Sequence, residues 1–125
     1  MREYPVKITE KALGDMNGIY EYIAFNLQSP ENAMGQYNRI ADCVLKLGFF
    51  PEKFRLVDFE PERSQGLRRM LVDNYSVFYV FKEEVVTVTR VLYSASDIEK
   101  RLKEDNQILV AFWLQKVIKS KKSLE

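Results

Sequence analysis

The stretch GLRRMLVDNYSVFYVFKEEVVTVTRVL, residues 66–92, decides the fold. Three apolar runs in it are separated by two polar dipeptides, and the last run is rich in the β-branched residues that favour strands. Three strands joined by two tight turns form an antiparallel meander. The predicted strands are Gly66 to Val72, Tyr75 to Phe81 and Val85 to Leu92, and the turns are Asp73-Asn74 and Glu83-Glu84.

A short strand and a helix are predicted at the start of the chain. Tyr4 to Ile8 alternates weakly, and Pro5 is tolerated at the beginning or on the edge of a strand. Thr9 is a candidate N-cap, with Glu10 in the first turn. Apolar residues then recur at spacings of three and four, which predicts a helix of roughly five turns. These positions are Leu13, Met16, Tyr20, Ile23 and Leu27.

A second helix start follows almost at once, at Ser29-Pro30-Glu31. Gly48 fits the position just past the end of this helix. Because the link around Gln28 is very short, the two helices should form an antiparallel hairpin. The apolar face of the second helix is predicted to contain Ala33, Tyr37, Ile40, Ala41, Val44 and Leu47.

Two further segments complete the predicted architecture. Pro51 to Gln65 is predicted as a loop that Phe54 and Phe59 hold to the core, and Ser96 to Glu99 opens another helix. The sequence therefore predicts an α+β fold of order β-α-α-β-β-β, with the meander sheet packed against the helical hairpin, plus a C-terminal helix.

The predicted domain covers residues 1–105, and residues 106–125 are a helical extension. The run Ile108 to Leu114 is strongly apolar, so we expect it to pack on the first helices or to mediate a homodimer. Leu124-Glu125 resembles a cloning scar, and part of the extension is then not native.

Composition excludes several classes of function. The 125 residues include no histidine, which excludes histidine-based acid–base catalysis, and their net charge of +1 indicates no particular partner. A single cysteine, Cys43, suits a reducing compartment, so we expect the cytoplasm. No apolar run approaches the ~20 residues of a membrane span. The sequence shows no metal-ligand cluster or phosphate loop, so we expect no cofactor and no metal.

The candidate site residues lie on and around the meander. Because neighbouring antiparallel strands bring their side chains together, arginines there are candidates for binding phosphate. The alternative is that they pair with Glu60, Glu62 or Asp73. Arg68 and Arg69 should point to opposite faces. The candidates are Arg63, Arg68, Arg69 and Arg90, with Tyr93 after the last strand as a proton donor or stacking residue.

Several short sequence segments, taken in their order along the chain, resemble the RelE/ParE-like toxins of bacterial type II toxin–antitoxin (plasmid stabilisation) modules. The resemblance covers about residues 4 to 103. This resemblance implies a neutralising antitoxin. It also implies one of two actions, mRNA cleavage on the ribosome or inhibition of DNA gyrase. The segments are Ile19 to Ala24, Phe50-Pro51-Glu52, Gly66 to Arg69, Asn74 to Tyr79, Arg90 to Tyr93 and Asp97-Ile98-Glu99.

The resemblance also assigns roles to residues. Arg69, Arg90 and Tyr93 are the implied catalytic residues, and Arg63 and Arg68 the implied RNA- or target-binding residues. Two positions that carry arginine in the nucleases hold Ser76 and Ser96 here. Three hypotheses follow: a toxin with a protein target such as gyrase or a weakened nuclease, an active ribosome-dependent endoribonuclease, and a non-toxic binding module.

Overall fold

The computed structural model describes residues 2–105. The chain divides into two units, with the boundary between Ser94 and Ala95. In the second unit, residues 98–105 form helix α3, whose first turn Asp97 caps by accepting from the Lys100 N–H at 3.3 Å. The predicted extension, with the apolar run Ile108 to Leu114, lies outside the described residues.

The first unit contains β1 (Val6–Ile8), α1 (Glu10–Glu21), a π-helical segment (Tyr22–Asn26), α2 (Pro30–Lys46), β2 (Arg68–Val72), β3 (Tyr75–Lys82) and β4 (Val85–Tyr93).

The four strands form one sheet of order β1-β4-β3-β2. β2, β3 and β4 pair antiparallel, which confirms the predicted meander, and β1 pairs parallel with β4. The β3–β4 turn contains Glu83 at φ 52° and Glu84 at φ 63°. A two-residue turn with both residues at positive φ has the twist that matches the right-handed twist of the flanking strands. Asn-Gly is the usual sequence for such a turn, and here two glutamates adopt this conformation.

Helix α1 begins as predicted, and its buried face agrees with the predicted one only in the middle. The Thr9 hydroxyl accepts from the Ala12 N–H at 3.1 Å, which confirms Thr9 as the N-cap. Ala12 and Met16 are buried, whereas Leu13 is 43% and Leu27 57% exposed, so the predicted stripe is wrong at both ends. Ala12 is fully buried in the main core, and within the π-helical segment after Glu21 the buried residue is Ala24.

Helix α2 confirms the predicted face. Ala33, Ile40 and Val44 are fully buried, and Cys43 is half-buried beside them. Ser29 occupies the N-cap position, with Pro30 as the first helical residue, but its side chain makes no capping hydrogen bond. The helix is held to the sheet by apolar contacts, since the main core is made of Ala12, Met16, Ile40, Val44, Leu47, Met70, Val72, Val77, Tyr79, Val86, Val88 and Val91.

The loop after α2 is fastened to the sheet by backbone as well as by side chains. Phe54 packs against the core as predicted, and the buried Tyr79 hydroxyl donates to the Pro51 carbonyl at 2.9 Å. The Val57 N–H donates to the Leu67 carbonyl at 2.9 Å, and the Arg69 N–H donates to the Arg55 carbonyl at 3.1 Å. Residues 55–57 therefore cover the outer edge of β2 at Arg68 and Arg69.

Gly48 follows the C-cap Leu47, just past the end of α2 as predicted, and it also contacts the start of the chain. The Tyr4 N–H donates to the Gly48 carbonyl at 2.8 Å, which ties the start of the chain to the end of α2. A Cβ at position 48 would lie 2.5 Å from the Tyr4 carbonyl oxygen. Glycine is thus required by the close approach of two backbones.

We predict opposite effects of alanine at two glycines. Gly48→Ala should destabilise the protein by about 1–3 kcal/mol, because backbone must move to admit the methyl group. Gly14→Ala, in open space within α1, should stabilise it by about 1 kcal/mol through helix propensity. Urea unfolding of both variants measures this difference, and equal effects at the two positions would contradict it.

The β2–β3 turn is anchored to α2 by a polar cluster. Asp73, at φ 53°, accepts from Arg39 Nε at 2.9 Å and from Gln36 Nε2 at 3.0 Å. Arg39 first and Gln36 second hold the pKa of Asp73 below its usual value of 3.8. Their hydrogen bonds therefore favour the ionised form of the Asp73 carboxylate.

The pH dependence of stability should report this cluster. Because the folded-state pKa of Asp73 is lowered, its contribution is present above pH 3.8 and is lost as pH falls through the folded value. Asp73→Asn tolerates the same left-handed turn, so it should be less stable than the parent near neutral pH, and the gap should close on acidification. Denaturation at stepped pH tests this, with Asp42→Asn as a control whose carboxylate makes no hydrogen bond or ion pair within residues 2–105. A gap that stays constant would contradict the role of Asp73.

Candidate functional site

Register places two of the candidate arginines in one row across the sheet. Arg69 is paired with Phe78, and Phe78 with Arg90. Directly opposed residues share a face, so Arg69 and Arg90 lie on the same face, two strands apart, as the sequence predicts. The Phe78 side chain between them is fully buried, and the Arg69 guanidinium carbon lies 5.9 Å from its ring centroid.

Arg90 is turned toward helix α1, where Asp15 binds it. Its Nε lies 2.7 Å and its Nη2 2.9 Å from the two Asp15 carboxylate oxygens. The two side chains are only 10% and 14% exposed. A bidentate pair in this environment is oriented and strong, so Arg90 links α1 to β4.

The same carboxylate also completes the hydrogen bonding of β4. β1 pairs with β4 only as far as Val88, and a bulge at Thr89 follows. Past that point the Val91 N–H donates to Asp15 at 2.9 Å, and the Thr9 hydroxyl donates to the Thr89 carbonyl at 3.2 Å. Helix α1 and its N-cap thus replace the neighbouring strand at this end of β4.

Arg69 belongs to a second polar cluster. Its Nε donates to the Ser76 hydroxyl at 2.9 Å, and the Ser76 and Ser94 hydroxyl oxygens lie 2.8 Å apart. Ser76 is fully buried. This buried serine occupies the position that the family resemblance associates with arginine, and it orients Arg69 from beneath.

Arg68 and Arg63 contact loop backbone. Arg68 is paired with Tyr79 of the main core, so it lies on the opposite face from Arg69, as predicted. Its Nη1 donates to the Phe54 carbonyl at 2.6 Å. Arg63 donates to the Val57 carbonyl at 3.2 Å. Of the acids considered as partners from sequence, Asp73 binds Arg39 instead.

Tyr93 lies in a group of tyrosines contributed by three elements. Its ring centroid is 5.8 Å from that of Tyr75, its register partner on β3. Burial raises the pKa of Tyr75, and the neighbouring Tyr93 and Tyr22 raise it further. Tyr22, in the π-helical segment, is 54% exposed and Tyr93 is 51% exposed. We call Tyr22, Tyr75 and Tyr93 the tyrosine surface.

Sequence reasoning missed Asp15 and Ser94, which bind the candidate site residues directly or through Ser76. Asp15 reads as a polar residue on an amphipathic helix, 75 positions before Arg90, and no local pattern links the two. In the described part of the chain no group of acidic or cysteine side chains is arranged to hold a metal ion. The helices described there are too short or too polar to span a bilayer.

The fold has counterparts among solved structures. A chain of the chromosomal ParDE toxin–antitoxin system from P. aeruginosa superposes with a TM-score of 0.62 at 22% identity, over 73% of this chain and 96% of the other. A chain of the toxin–antitoxin complex RelBE2 from Mycobacterium tuberculosis gives 0.54 at 16% identity, over 73% and 98%. These likenesses establish the fold of small bacterial toxin–antitoxin proteins. No curated protein gives a significant sequence match.

Family membership follows from the sequence itself. The family described as ParE toxin of type II toxin–antitoxin system, parDE, matches residues 6–98, a span that contains every element from β1 to β4. The chain belongs to this family of type II toxins, which confirms the resemblance noted from its motifs.

The buried pair should be important for stability. Asp15→Leu should cost about 3–5 kcal/mol, because it leaves the Arg90 charge buried without its carboxylate. The double variant Asp15→Leu/Arg90→Met should cost much less than the sum of the two single changes. Denaturant unfolding of the four proteins closes the cycle.

The control for this cycle is the exposed pair of Arg2 and Glu84, whose side chains are 61% and 62% exposed. Arg2→Met should lower stability far less than Arg90→Met, since solvent already screens that pair. Additive losses at Asp15 and Arg90, or an Arg2→Met loss of the same size, would overturn the assignment.

Proposed function

We propose that this toxin arrests bacterial growth by acting on a protein target, DNA gyrase being the expected one, and that a cognate antitoxin neutralises it. Membership of the ParE toxin family supports a role of this kind. The observation that carries the choice of a protein target over mRNA is the fully buried Ser76. The site of action is then the cytoplasm, where gyrase and the ribosome both work.

Cleavage of RNA requires cations aimed at the charge that develops on the reacting phosphate. At position 76 the chain offers a buried hydroxyl that accepts from Arg69 and bonds Ser94. Arg90, the other cation of the row, is buried and bound to Asp15. We therefore propose that Arg90 stabilises the fold. Of the two arginines in the row, Arg69 is the one that is not paired with a carboxylate.

The tyrosine surface suits a protein target. Exposed aromatic rings with hydroxyl tips are the residue type that most often dominates protein interfaces. Phe25, in the same π-helical segment as Tyr22, adds a ring that is 71% exposed. Nucleic-acid sites are rich in lysine and arginine, and none of these four residues is basic. We propose that Tyr22 and Tyr93 contact the target.

Controlled expression in bacteria tests the mode of action. We expect growth arrest with loss of plasmid supercoiling and no new mRNA 5′ ends within translated codons, and relief when the cognate antitoxin is co-expressed. Arrest accompanied by new 5′ ends would establish a ribosome-dependent nuclease and overturn the proposal. Absence of arrest at matched protein levels would establish a non-toxic binding module.

Variants of the tyrosine surface test where the target binds. Tyr22→Ala/Tyr93→Ala should raise the inducer level needed for arrest by about tenfold or more, since each lost interface anchor costs about 2 kcal/mol. Leu45→Ala removes a side chain of similar exposure, 62%, from α2 and should change nothing. Retained binding of antitoxin by the double variant shows that it is folded. Arrest at the parent level, or an equal loss in Leu45→Ala, would contradict the assignment.

A further inference from the structure

A basic groove lies between β2 and the loop segment that covers its edge. The groove has a volume of about 670 Å³, and its charged lining consists of Lys53, Arg55, Arg69 and one acid, Asp58. Three cations against one carboxylate leave an excess of two positive charges. The groove shares no residue with the tyrosine surface. The proposed action on a protein target therefore assigns no role to it.

Arg69 is the half-buried cation of the groove. One of its five N–H groups, on Nε, donates to Ser76, which fixes the direction of the guanidinium. Within residues 2–105 its two Nη atoms make no hydrogen bond and no ion pair with the protein. The guanidinium is held in place, and its two Nη groups are not paired with a carboxylate. It is therefore preorganised to bind an anion in a bidentate manner.

The two other cations adjoin Arg69 through the loop. Arg55 is exposed, and its carbonyl accepts the Arg69 N–H at 3.1 Å, so the two residues are held side by side. Lys53 Nζ lies 5.4 Å from the Phe54 ring centroid. Phe54 and Phe59 supply apolar lining. The groove thus combines cationic side chains with aromatic lining.

The edge of the sheet argues for a small ligand rather than a peptide. An extended peptide that adds to a sheet needs unpaired backbone groups on the edge strand. Here residues 55–57 already occupy the edge of β2 beside Arg69. A volume of this size lies in the range of pockets for small molecules. Two excess positive charges match a phosphate dianion better than a single carboxylate.

We propose that this groove binds the phosphate group of a small, nucleotide-sized ligand, with Arg69 as the bidentate contact and Arg55 and Lys53 as supporting charges. Binding neutralises the excess charge, and the aromatic walls accept the flat remainder of the ligand. Asp58 opposes the anion and limits its affinity.

Titration calorimetry on the purified full chain, with AMP and with inorganic phosphate as probes, tests the proposal. AMP should bind, and more tightly than phosphate. Arg69→Met should weaken AMP binding by about tenfold or more, which corresponds to 1.4 kcal/mol. Arg55→Met should weaken it less, and Asp58→Asn should strengthen it. Both of these side chains are exposed, so these variants keep the test valid even if Arg69→Met is poorly folded.

Arg2→Met is the matched control, because it removes an exposed arginine that pairs with Glu84 away from the groove. It should leave the affinity for AMP unchanged. Absence of AMP binding, equal affinities for AMP and phosphate, or equal losses in Arg69→Met and Arg2→Met would overturn the proposal. Tighter binding of a single-stranded oligonucleotide, with a salt dependence of several ions, would overturn the small-ligand assignment. These measurements are made in solution, so their failure is distinct from a failure to arrest growth.

Discussion

The carboxylate of Asp15 is the constraint on which the rest of the first unit depends. It accepts from the side chain of Arg90 and from the backbone of Val91, so a single group both neutralises a buried charge and bonds the β4 backbone beyond the end of β1. β1 is only three residues long and cannot do this alone. Helix α1 therefore takes part in the hydrogen bonding of the sheet as well as covering it.

Most of the fold was predictable because its signals are local. The strands of the meander follow from alternation and β-branched residues, and the two helix starts follow from Thr9 and Pro30. The phase of the first helix was not predictable from hydrophobicity, since the helix buries Ala12 and leaves Leu13 outside. Ala12 is buried because it packs in a core with strand residues that are remote in sequence. Gly48 is similar, because the backbone that crowds it belongs to Tyr4.

The candidate site divides in the same way. Alternation along strands correctly places Arg69 and Arg90 on one face and Arg68 on the other. The environments of these arginines could not be predicted, because Asp15, Ser76 and Ser94 reach them through tertiary contacts. Two arginines in one row have opposite characters as a result. One is locked against a carboxylate, and the other is held from beneath by a neutral hydroxyl that leaves its charge available.

The pairing of residues 55–57 with β2 has a consequence for the life of a toxin outside its complex. An exposed edge strand is a template on which identical chains polymerise. By folding its own loop along that edge, the protein blocks self-association through the part of the sheet beside Arg69. A protein that acts only when released from an inhibitor must remain dispersed during that interval. The segment of residues 55–57 covers part of one edge of the sheet, and the strand at the other edge, β1, is only three residues long. Both features limit association between sheet edges.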